Sequence, residues 1–219
     1  MKQVTNRMLA AAMLTLMIVA MPIAANADGI HDAVSNGDVE GARGILQKNR
    51  KLADAKDGDG MTPLHLAAMN GDRAMIMLLL QNRSNVNVAD ANGDTPLHLA
   101  VGSKNEGAVQ LLCSKKAKVN AVNNSGQTPL HIAAMDGQLE LARFLVSKKA
   151  DVNARDMGGQ TPLHKAISSG NKMLVEMLLS KHANLNARDS GGVTPLRLAT
   201  MSHHTEIATL LKSKGAIDQ

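Results

Sequence analysis

The chain has 219 residues and a formal net charge of +5, a balance too mild to imply a nucleic-acid partner. Its lone cysteine, Cys113, excludes an intramolecular disulfide, so stability has to come from packing. With no Trp or Tyr and Phe144 as the single aromatic residue, the core must be built from Leu, Val, Ile, Ala and Met.

Residues 1–27 read as a cleavable export leader. Lys2 and Arg7 lead into the apolar run from Met8 to Met21, and Ala25-Asn26-Ala27 supplies a small-residue cleavage site before Asp28. The run falls short of the roughly 20 residues that a bilayer span requires, so no membrane span is expected. No cysteine near the cleavage site offers a lipid anchor, and no Arg-Arg pair precedes the apolar core. The expected product is a soluble protein starting at Asp28, periplasmic or secreted, with 22 Lys and Arg against 19 Asp and Glu.

From there to the end the chain is periodic. Thr62, Thr95, Thr128, Thr161 and Thr194 each open a Thr-Pro-Leu triplet, and the step from each to the next is a constant thirty-three. Asp57, Asp90, Asn123, Asp156 and Asp189 keep the same step, as do Gly60, Gly93, Gly126, Gly159 and Gly192. In each copy Thr suits a helix N-cap, and Pro follows at the first helical position, where its missing N–H is harmless. The first helix then runs to Gly71, Gly137 or Gly170, which suit a left-handed C-cap. A second helix follows, with apolar residues at helical spacing such as Leu141, Leu145 and Val146, or Leu174, Met177 and Leu178. The Asn, Asp and Gly-rich remainder forms a projecting hairpin or loop.

This period and motif resemble the ankyrin repeat family, and the resemblance covers essentially everything after the leader. It implies an all-α solenoid of about six helix-turn-helix units with short β-hairpin or loop fingers. The units are an atypical cap at 28–61, repeats at 62–94, 95–127, 128–160 and 161–193, and a C-terminal cap at 194–219. In the first, an offset one position longer than the regular step aligns Asp28-Gly29-Ile30-His31 with Thr62-Pro63-Leu64-His65, giving Asp28 the N-cap role. In the second helices, Leu80, Cys113, Val146 and Leu179 form an apolar column whose last member is Lys212. A position that is apolar wherever a neighbour follows and charged where none does is what a stacked array requires. Six units about 10 Å apart make a curved rod roughly 60 Å long.

Four triplets continue to His65, His98, His131 and His164, and His31 aligns with them; the last copy has Arg197. One repeat apart, these imidazoles cannot share a metal, whose ligand nitrogens must lie within about 2 Å of the ion. No HExxH or GxSxG motif accompanies them, so no catalytic residue, metal site or cofactor is assigned. A neutral imidazole can accept from the Thr hydroxyl at one nitrogen and donate to a carbonyl from the other. Histidine persists wherever a successor follows and is lost where none does, which places that carbonyl in the following repeat. His182, His203 and His204 lie near helix ends and are weak metal candidates.

The resemblance further implies a non-enzymatic, monomeric protein that binds a protein partner through its loop tips and the exposed face of its first helices. The tip positions are Gly58, Asp59, Ala91, Asn92, Asn124, Ser125, Met157, Gly158, Ser190 and Gly191. The helix positions are Met69, Asn70, Gly102, Ser103, Met135, Asp136, Ser168, Ser169, Met201 and Ser202. These vary between copies while their neighbours do not. Met69, Met135 and Met201 share one column, where flexible thioethers suit an adaptable contact surface. The alternative is an envelope protective factor acting by methionine oxidation or metal sequestration, since soft sulfur favours Cu(I) and sulfoxide formation is reversible. Members of that column are two repeats apart, too far to share one ion.

Lysines recur at the ends of the second helices: Lys115, Lys116, Lys148, Lys149, Lys181 and Lys214. They complement helix C-terminal dipoles, or form a ladder for an acidic partner or an anionic membrane. Arg83, Lys116, Lys149 and His182 occupy a column where the family has glycine, kept only by Gly215. Cys113 lies in the apolar column and reads as a buried, inert thiol. Lys56 to Gly60 (KDGDG) lacks the later acids of a calcium loop and reads as a solvated turn.

Overall fold

The computed structural model describes residues 27–217. The export leader read from residues 1–27 lies outside them but for Ala27, the first residue of a helix. Twelve α-helices follow in pairs: α1 Ala27–Ser35 and α2 Val39–Lys48, α3 Pro63–Asn70 and α4 Arg73–Gln81, α5 Pro96–Gly102 and α6 Glu106–Ser114, α7 Pro129–Met135 and α8 Leu139–Ser147, α9 Pro162–Ser168 and α10 Lys172–Ser180, α11 Pro195–Met201 and α12 Thr205–Ser213.

The helix starts follow from Pro. Its ring forces the preceding residue out of the helical region, and Thr62, Thr95, Thr128, Thr161 and Thr194 are all extended, with φ between −88° and −98°. The first unit departs from this rule. Asp28 is followed by Gly29, which imposes no such restriction, and α1 runs through Asp28 instead of starting after it. Asp28 is therefore not an N-cap. This unit also has a short 3-10 helix, Arg50–Asp54, that no other unit repeats among the described residues; it buries Leu52 and Ala53.

The odd-numbered helices from α3 to α11 start at the Pro of each triplet, and they stack on one another along the array, as do the even-numbered ones. The odd row packs more closely. Small side chains allow it: Ala67, Ala68, Ala100, Ala133, Ala134, Ala166 and Ala199 are all fully buried there. A row with shorter steps than its partner becomes the inner side of a curve, so the odd helices form the concave layer and the even ones the convex layer. One continuous core runs between them, from Ile30 to Leu211.

The second-helix column behaves as a stacked array dictates. Leu80, Cys113, Val146 and Leu179 are half-buried against the core, and Lys212 is exposed.

No strand occurs among the described residues, so the fingers are turns and not β-hairpins. Each closes on two backbone bonds, as in Asp90 N–H to Asp94 O and Gly93 N–H to Asp90 O. Each meets the next finger through one more, such as Asn124 N–H to Asn92 O at 2.9 Å. Too few residues lie between the pairs for a ladder to propagate.

Arg83, Lys116, Lys149 and His182 are left-handed, with φ of 64° to 69°, and Gly215 shares their conformation at 87°. Lys104 and His203 are left-handed too, at 60° and 57°, in the column that Gly71, Gly137 and Gly170 fill elsewhere. Each non-glycine residue so placed is strained by about 1–2 kcal/mol. Lys116→Gly and Lys149→Gly are therefore expected to stabilise the fold by about 0.5–1 kcal/mol each, once the extra chain entropy of glycine is subtracted. Urea unfolding checks this: the midpoint rises and the slope stays constant.

Candidate functional site

The tetrapeptide Thr-Pro-Leu-His is both a helix start and a joint. Three residues after the N-cap, the histidine side chain turns back, and its Nδ1 accepts from the backbone N–H of Thr62, Thr95, Thr128 or Thr161 at 3.0–3.2 Å. The Thr hydroxyl lies 2.9 Å from the same nitrogen in all four copies and donates to it. Nε2 then carries the proton and donates forward: His65 to Asp94 O, His98 to Gln127 O, His131 to Gln160 O and His164 to Val193 O, at 3.0–3.2 Å. His31 makes the same contact with Met61 O at 3.0 Å. Every acceptor immediately precedes the Thr that opens the next unit. The five histidines are thus buried fasteners between neighbours, as the loss of histidine in the last copy predicts. Arg197 is exposed, and the Thr194 hydroxyl accepts from the Arg197 N–H at 3.3 Å, the half of the capping box that needs no imidazole.

A second ladder is absent from the sequence reading. Asn87, Asn120 and Asn153 each donate from Nδ2 to the carbonyl of the next unit's left-handed residue, Lys116, Lys149 or His182, at 3.1–3.4 Å. Their Oδ1 atoms accept from the N–H two residues further on, in Lys118, Asp151 and Asn184, at 2.7–2.8 Å. Asn186 Oδ1 accepts from Ile217 in the same way. Gripped at both ends, the strained residue has no alternative conformation that keeps these bonds. The signal was present: these asparagines recur at the same step as the Thr-Pro-Leu triplets.

Lys165 departs from its column, which holds Leu66, Leu99, Ile132 and Leu198 in the other copies. Its ammonium lies 2.8 Å from Asp156 Oδ2 and donates to Gln160 Oε1 at 2.7 Å, with both charged side chains largely buried. Burial pushes the Asp156 carboxyl up, but Lys165 and the Gln160 N–H outweigh it and hold the group below the usual carboxylate range. The cation is satisfied within its own finger.

The positions offered for partner binding are surface positions. All of the tip residues from Gly58 to Gly191 are exposed, as are those on α3, α5, α7, α9 and α11 except Ser202, which is half-buried. Met157 at a tip is 76% exposed, and Met69, Met135 and Met201 on the inner layer are 39%, 46% and 61% exposed. These are large apolar side chains left in water along one surface. Cys113 is half-buried and not fully buried; burial pushes its thiol up, partly opposed by Lys148, which leaves it a poor nucleophile. Among the described residues no group of three or more His, Cys, Asp or Glu could hold a metal ion, and no helix is long and apolar enough to cross a membrane.

Burial lowers the pKa of His65, His98, His131 and His164, against a smaller opposing pull from the carbonyls they bond. Below the ordinary value of about 6.5 the unfolded chain binds protons that the fold refuses, so stability must fall as pH drops through that window. The expected record is a urea midpoint that is flat above pH 7 and declines steadily towards pH 5. His131→Leu strands the Thr128 N–H and the Gln160 carbonyl and is expected to cost about 2–4 kcal/mol. Arg197→His, at an exposed position where no carbonyl of the described residues faces the side chain, should change stability by less than about 0.5 kcal/mol. Chemical denaturation of the two variants side by side checks the asymmetry.

The family model for ankyrin repeats (three copies) matches this chain at residues 30–123, 84–156, 121–189 and 150–219. No curated protein matches it.

Proposed function

The chain belongs to the ankyrin repeat family, and from that premise we propose that it is a non-enzymatic module of the cell envelope. It holds a partner protein against its fingertips and concave layer. One observation carries this reading. Positions that recur from unit to unit, such as the Thr and Leu of the triplet and the His that follows four of them, are buried, whereas the exposed tips and inner-helix ends vary between copies. Packing dictates the first set and leaves the second free to recognise something.

The chemistry of that face suits a protein. Met69, Met135, Met157 and Met201 provide adaptable apolar contacts between small polar residues such as Ser103, Ser125, Ser168 and Ser190. Their exposure also favours a second reading, in which the thioethers are consumed by an oxidant and restored by reduction. The envelope location rests on the leader-like pattern of residues 1–27.

Photo-crosslinkers placed at Asn124, Met157 and Ser190 in intact cells are expected to capture one discrete protein, while crosslinkers at Glu140 and Glu176 on the convex layer do not. Met135→Glu should abolish capture without shifting the unfolding midpoint. Equal capture from both faces, or reversible sulfoxide formation as the only change at these positions, would refute the binding role. N-terminal sequencing of the protein from a periplasmic fraction tests the location, with Asp28 as the expected first residue.

A further inference from the structure

The turns that end the convex helices form a separate surface. Across residues 80–86, 113–119, 146–152, 179–185 and 212–218 there are nine Lys and Arg and two carboxylates, Asp151 and Asp218. That local excess is larger than the net +5 of the whole chain, so the remainder is net acidic: the positive charge is gathered and not scattered. All nine of these cations are exposed, and the ion pairs among the described residues lie elsewhere, at Arg43, Arg143, Lys165 and Lys172.

Helix dipoles do not account for the left-handed members of the row. A cation near a helix C-terminus gains at most what the left-handed strain at Arg83, Lys116 and Lys149 takes away. Glycine would fit the same turn without strain, as Gly215 does at the end of the array. The asparagine clamps hold successive turns in one pose. The turns that carry these cations therefore repeat in a single row, with steps of about 10 Å expected from the spacing of packed helices. The row is rich in lysine, a flexible point charge, and poor in the arginine forks that grip one phosphate in a fixed geometry. It has no stacking platform for bases: the chain has no Trp or Tyr, and Phe144 lies beneath Lys148, 5.4 Å from its ammonium. Loosely tethered charges in a line match an anionic surface that is flat, fluid and without a pattern of its own.

We propose that this basic row docks the protein on the surface of a bilayer containing anionic phospholipid, using none of the fingertip or methionine residues. Protein purified as cells accumulate it is expected to co-sediment with vesicles of equal parts phosphatidylglycerol and phosphatidylcholine, and not with phosphatidylcholine alone. Raising salt from about 0.1 M to 0.5 M should release it, because screening shortens the reach of each charge. The combined variant Lys115→Gln, Lys116→Gly, Lys148→Gln, Lys149→Gly should bind on the order of 100-fold more weakly or worse. Its two glycines relieve strain, so the fold is retained and an unchanged unfolding midpoint or a higher one verifies it. Lys172→Gln, a cation outside the row, should bind as the parent does. The proposal is overturned if the parent ignores phosphatidylglycerol, if the fourfold variant still binds, or if a single-stranded oligonucleotide is held as tightly as the vesicles. Any of these leaves the partner-binding face untouched, since the two surfaces share no residue.

Discussion

The histidine bridge is the constraint on which this architecture depends. One imidazole completes the start of its own helix through Nδ1 and fixes the next unit through Nε2, so local and neighbouring structure are set by the same side chain. Its neutral form is obligatory, because a protonated ring has no lone pair for the Thr N–H and hydroxyl. Burial keeps it neutral, and stacking produces the burial. Helix initiation, stacking and histidine ionisation are therefore coupled, and loss of one neighbour weakens all three.

Coupling of this kind passes only between adjacent units. The two ends must then differ from the middle, and they do in different ways. In the last described unit Arg197 stands in the histidine column and Lys212 in the apolar column, and both are exposed. The first described unit keeps its histidine, whose bond runs forward, drops the Thr-Pro start, and adds a 3-10 helix that also faces the next unit, with Ala53 O accepting from the Ser84 hydroxyl and Asp54 Oδ1 from the Asn85 N–H. The direction of the bridge decides which features each cap can lose.

Much of this was legible in the sequence because the period does the work of an alignment. Five copies at one interval separate positions fixed by packing from positions left free, and the step from His164 to Arg197 shows the direction of the bridge before any coordinates are seen. The asparagine ladder was equally periodic but carried no obvious chemistry. An asparagine in a turn-rich segment reads as a local turn former, and its partner lies 29 to 31 residues away. Asp28 failed as a cap for a reason written beside it, since Gly29 lacks the ring that stops a helix at Thr62. The pairing of Lys165 with Asp156 needed three dimensions: the column predicts an apolar residue, and only the fold shows a finger carboxylate within reach.

Lys165 also shows how the scaffold accommodates departures. Its stem replaces a leucine against the core while its charged end turns into the finger, where a carboxylate and an amide already stand. The same logic governs the left-handed lysines, which the asparagine clamps hold from both sides. In each case a residue that a lone helix pair would reject is tolerated because a neighbouring segment supplies its missing bonds. Stability drawn from repetition therefore pays for irregularity at chosen points, and those points lie on the surfaces that stacking leaves open. A solenoid gains function without altering its core: the bonds between units are shared and redundant, so single positions on the rim, the concave layer or the outer turns can change chemistry while the bridges beneath them stay in register.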